Sequence, residues 1–136
     1  MSSSISVPDV RGRQAAYLPF LAAALLFSLL GGFALAVSLP IQAALQHPVS
    51  AGWFSHAQVH GHLQTIGFAG LFIVGVSYFL MPGFSRRPLA LPRLAPLTLW
   101  LLIAGVLLRT IGQPMADREL MAVLMAVGAW MEVAGA

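Results

Sequence analysis

The chain has 136 residues, of which 59% are apolar and only 8% charged, with a net charge of +3. A soluble domain carries about a quarter charged residues, so this composition and a mean hydropathy of +0.87 exclude an ordinary soluble fold. Cysteine is absent, which removes disulfides, iron–sulfur clusters and thiolate metal ligands.

Lysine is absent too, and the seven arginines flank apolar blocks instead of forming a patch, a pattern that argues against a nucleic-acid partner. Long apolar blocks separated by short polar stretches predict an all-α membrane protein with the lipid bilayer as its surroundings. In chain order, residues 1–16 read as a polar, disordered cytoplasmic tail carrying Arg11 and Arg13, and residues 17–136 as a transmembrane helical domain.

The first span is expected over 17–39. Its roughly 23 residues reach about 35 Å at the helical rise. Pro19 falls in its first turn, and Gly31 and Gly32 suit close packing of a neighbouring helix. Pro40 ends or bends it, and a loop with His47-Pro48 follows. Trp53 and Phe54 read as interfacial aromatics.

The second span is expected over 56–81, with Ser55 as its N-cap and Pro82-Gly83 as its stop. A short basic linker holds Arg86, Arg87 and Arg93. The third span is expected over 94–111, with Arg109 near its far end, able to snorkel to the interface. Gly112 and Pro114 end it. The fourth is expected over 120–136 and contains Glu132, a costly residue in mid-span. It runs to Ala136 without a polar flank, so the chain reads as a fragment of a larger helical bundle whose further C-terminal helices or other subunits are missing. The arginines of the tail and of the second linker place the N-terminus in the cytoplasm by the positive-inside rule.

Three of the four histidines, His56, His60 and His62, stand at the start of the second span. Ionisable side chains inside a membrane are candidate functional residues. At about 100° per residue, His56, His60, Gln64, Gly67, Leu71, Val74 and Tyr78 share a stripe of roughly 80°, while His62 points about 160° away from His60. Gly67 leaves space beside that stripe, and Gly61 lets another backbone come close. His60 is the metal-ligand candidate, against the alternative of a satisfied buried histidine. His56 reads equally as ligand or helix-start residue, and His62 as a bond to a neighbouring helix or to a ligand's acidic group. His47 reads as a solvated loop residue. Neutral imidazole suits iron, copper and zinc alike, so spacing alone names no metal. Met121, Met125 and Met131 read as packing.

The run His60-Gly61-His62-Leu63, then Gly67-Phe68, Gly75 and Tyr78-Phe79-Leu80-Met81-Pro82, resembles the second helix of the haem-copper oxidase and nitric oxide reductase large subunits. The longer phrase HGHLQTIGFAGLFIVGVSYFLMPGF, followed by PLALPRLAPLTLWLLIAGVLLR, is similar to the NnrS family, haem- and copper-containing bacterial membrane proteins linked to nitric oxide tolerance. The likeness covers about residues 53–112. It implies an inner-membrane, multi-pass protein that binds haem b, with copper as a second metal. It also implies His60 at the axial-ligand position, His62 in the pocket beside it, and room for a porphyrin near Gly67. The partner histidine of a late helix and the oxidase metal-centre motif are not in this sequence. The resemblance therefore implies half of a site. Two other readings stand beside it: a piece of a true terminal oxidase or nitric oxide reductase, and a haem-free four-helix membrane protein whose histidines only pack.

Overall fold

The structure is a computed structural model that describes residues 10–47 and 51–136. The expectations for most of the tail and for Pro48 and Ser50 lie outside those residues. The described chain is all-helical, with no strand, and forms two antiparallel helix hairpins.

Helix α1 covers residues 10–44: an α-helical Val10–Leu26, a π-helical Phe27–Phe33 and an α-helical Ala34–Ala44. Helix α2 covers residues 51–85 in the same pattern, with Ala51–His62, a π-helical Leu63–Gly70 and Leu71–Ser85. Helix α3 is Leu94–Gly112, extended by a 3₁₀ turn at Gln113–Met115, and α4 is Glu119–Gly135. Three stretches are long and apolar enough to cross a membrane: Ala16–Ala44, Gly52–Ser85 and Leu94–Met115.

Several expected boundaries move. The first helix begins at Val10, inside the stretch read as tail, and runs through Pro40 to Ala44. Proline removes a single intrahelical bond, which the surrounding ladder tolerates in an apolar segment. The helix stops instead in a hydrogen-bonded C-terminal cap, where Gln46 takes a left-handed φ of 58°. The Gln46 N–H bonds Ala43 O and the His47 N–H bonds Gln42 O. Ser55 is not the N-cap of α2, because helix is already present at Ala51. Pro82-Gly83 does not stop it either. The stop is Arg86, with φ 52°.

The π segments explain how α1 and α2 pack. On α2 the buried line is Val59, Leu63, Gly67, Leu71 and Gly75, each four residues from the next. In an ideal α-helix each step of four drifts by about 40°, which would spread these five positions over about 160°. A π turn, closed by i→i+5 bonds, holds more residues and takes back that drift. The line Phe20, Ala24, Ser28 and Gly32 on α1 repeats the spacing across its own π segment. The two π segments lie against each other.

In the second hairpin, backbone meets backbone. A Cβ on Gly105 would stand 2.7 Å from Gly128 O, and one on Gly112 would stand 2.9 Å from Met121 O. Met125 packs on Gly112, as a core methionine does. The hairpins join through Leu102 on Phe20, Ala24 and Leu71, and through Val106 on Val59 and Leu63. On one side, between α1 and α3, an open apolar groove of about 410 Å³ is floored by Gly31 and Leu63.

Candidate functional site

The polar side chains collect near one end of the bundle, around the first half of α2. His60 faces α1, with its Nδ1 2.8 Å from the carbonyl oxygen of Gly32 in the π segment. A carbonyl only accepts, so Nδ1 carries the hydrogen and donates it. The lone pair of the ring then sits on Nε2. That Nε2 has no hydrogen-bond partner and is not sealed off, because the one fully buried, unpartnered side-chain polar atom among the described residues is Arg109 Nε.

One turn on, Ser28 Oγ donates to Gln64 Oε1 at 3.2 Å. The Gln64 amide covers Gly32, where a Cβ would collide with Nε2 of that side chain. His60 and Gln64 thus both dock on α1, as their shared face implied. His56 does not join them. It is exposed, and its Nδ1 donates to Gly52 O of its own helix at 2.7 Å. The exposed His47 lies beyond the end of α1.

Gly67 is buried as expected, yet the space beside it is filled. A Cβ there would meet Phe27 Cβ at 3.2 Å and Val106 Cγ1 at 3.5 Å. The open space lies at Gly61, where a Cβ would meet nothing within 4 Å. The space expected beside Gly67 is therefore filled, and Gly61, next to His60, is at the surface.

His62 turns to α4. Its Nε2 lies 2.8 Å from Glu132 Oε1, with the two side chains 13% and 12% exposed. The two costly ionisable groups of the sequence are each other's partners, as isolated polar groups in an apolar setting require. Further out, Gln113 Nε2 donates to Gln58 Oε1 at 2.6 Å. No group of three His, Asp or Glu side chains able to hold a metal ion occurs among the described residues.

Sequence reasoning missed three participants. Gly32 and Ser28, the acceptor for His60 and the donor to Gln64, were read only as helix-packing or unremarked positions. Their four-residue spacing with Ala24 and Phe20 was the available signal. The unpartnered Arg109 had none, since its isolation depends on Glu132 bonding elsewhere. Comparison with protein families, curated proteins and solved structures returned no match.

Proposed function

We propose that the chain is a four-span inner-membrane protein of the NnrS type that binds haem b through His60 and serves in nitric oxide response or respiratory metabolism. One observation carries the haem reading: the Nδ1–H of His60 is held by the Gly32 carbonyl, which leaves Nε2 as the free donor. A ligating histidine commonly has its other ring nitrogen fixed by a carbonyl or carboxylate in this way. His60 would hold the iron through Nε2. His56 is set up alike, since its Nδ1 donates to Gly52 O and leaves its Nε2 free, but it is exposed and bonded to its own helix instead of to α1. His62 bonds Glu132 through Nε2. A second imidazole on the iron would come from another segment or subunit. Bound haem would bring axial-ligand-tuned electron transfer or diatomic-gas binding to this site.

In this reading His60 binds, Gly32 orients the imidazole, and Gln64 and Ser28 fix the helix pair behind it. Copper, if held, also requires ligands from outside the described residues. With α4 counted as the fourth span, the histidine end of α2 faces away from the cytoplasm.

Optical spectra of the purified protein test the proposal. A Soret band with split α and β bands in the reduced form is expected. It is lost in His60→Ala, kept in His47→Ala and at most shifted in His62→Ala. A spectrum unchanged in His60→Ala, or no haem band in any form of the protein, leaves the His60–Gly32 bond as helix packing alone. Orientation is tested separately: cysteines placed at Ser50 and Ser85 are expected to label from opposite sides of the membrane, and labelling from one side contradicts it.

A further inference from the structure

Helix α4 reaches α2 only through side chains. Among the described residues no Cα of α4 lies within 8 Å of one in α2, yet His62 and Glu132 bridge the gap. Both helices pack on α3, and Arg109 stands on α3. Gly105, one turn before it, faces Glu132 and Gly128, and Val106 faces Val59 and Leu63. At 100° per residue Arg109 falls about 40° from Gly105 and about 60° from Val106, between the face turned to α4 and the face turned to α2. Gln113, a turn further out, is bonded to Gln58 of α2.

The Arg109 Nε is buried without an acceptor. No ion pair reaches the guanidinium among the described residues, where the one such pair is His62–Glu132. Arginine stays charged in proteins and offers five donors. Buried donors of this kind are almost always paired. The carboxylate placed to pair with it is Glu132, about a turn away on the facing helix, but its Oε1 is taken by His62. Asp117 and Glu119 are exposed, at the start of α4 and before it. Arg109 thus carries a buried, unpartnered Nε while the nearby carboxylate of Glu132 is bonded through Oε1 to His62.

We propose that Arg109 is an anion site that takes a phosphate group against its guanidinium between α2 and α4. Arginine matches phosphate oxygens with two parallel N–H bonds, which a point charge does not. The phosphate comes from a phospholipid headgroup or from free phosphate. The site is independent of the haem reading and uses neither His60 nor its ligand atom.

The test uses the whole chain in detergent. One arm measures phospholipid retained through purification by native mass spectrometry. The other follows thermal unfolding of delipidated protein against inorganic phosphate, with chloride at matched ionic strength as control. Retained phospholipid that falls about tenfold or more in Arg109→Gln identifies a headgroup, and a saturable phosphate-dependent rise in Tm lost in that variant identifies the free ion. Arg118→Gln, at an exposed turn, is expected to behave as the native chain. Arg109→Lys, which keeps the charge and loses the fork, is expected to bind more weakly, and it decides the matter if Arg109→Gln does not fold. Neither effect in the native chain, an undiminished effect in Arg109→Gln, or native-like binding by Arg109→Lys overturns the site.

Discussion

The two hairpins are built on opposite principles. Between α3 and α4 no side-chain hydrogen bond occurs among the described residues. The contact is made by Gly105, Gly112, Gly128 and Gly135, which bring helix backbones and neighbouring side chains into direct touch. Between α1 and α2 the helices also meet through glycine, at Gly32, Gly67 and Gly75. There, however, the contact includes two π segments and the bonds of His60 to Gly32 and Ser28 to Gln64. Glycine packing is served by van der Waals contact alone. A π segment is a costly irregularity that recurs at functional sites. The comparison separates a scaffold, α3–α4, from a hairpin organised around a polar site.

The largest expected effect lies in the scaffold. A Cβ at Gly105 would stand 2.6 Å from Glu132 Cγ and 2.7 Å from the Gly128 carbonyl, and the carbonyl has no room to retreat. Gly105→Leu is expected to reach or exceed the usual overpacking cost of roughly 1–3 kcal/mol. Thermal unfolding in detergent measures it, and a native-like Tm would remove backbone contact as the basis of the second hairpin. Gly67→Leu comes next, within roughly 1–3 kcal/mol, because the neighbours it strikes are the side chains of Phe27 and Val106. It is expected to lower stability clearly more than Gly83→Leu at an exposed position near the end of α2. Equal tolerance at both would break the proposed close approach.

The pair joining the hairpins ranks third. Hydrogen bonds between membrane helices average about 0.6 kcal/mol and reach about 1.7. A double-mutant cycle on His62→Ala and Glu132→Ala is therefore expected to give a coupling near 1 kcal/mol on that scale. A coupling of zero would mean the two side chains do not hold α4 to α2. The smallest effect is expected at Gly61, where an added Cβ meets nothing. Gly61→Ala is expected to stabilise the helix by up to about 1 kcal/mol through propensity alone. A loss of stability there would show that the open face beside His60 is occupied.

Much of this architecture is legible in the residues. The apolar blocks predict an all-helical chain, as the described residues are, and three of its helices are long and apolar enough to cross a membrane. Leu94–Gly112 departs from its expected span by one residue. Breakers misled where context outweighed them, since Pro40 and Pro82 both lie within helix. The stripe through His60, Gln64, Gly67 and Leu71 rested on an ideal α period. It puts His60 and Gln64 on one face, and both dock on α1, whereas His56, a turn nearer the helix start, is exposed and bonds its own helix. The runs Phe20-Ala24-Ser28-Gly32 and Val59-Leu63-Gly67-Leu71-Gly75 carried the sign of the π segments in their four-residue step. The union of His62 with Glu132 was not legible, because it depends on how two hairpins dock and not on either helix alone.

The Gly32 carbonyl fixes the imidazole of His60 through Nδ1. Solid-state nitrogen NMR of the protein in lipid, with histidine ¹⁵N-labelled and His60 assigned by comparison with His60→Ala, tests it most directly. The His60 ring is expected to carry its hydrogen on Nδ1, with Nε2 bearing the lone pair in the haem-free protein and perturbed when haem is supplied. A ring protonated at Nε2, with Nδ1 bearing the lone pair, would contradict it.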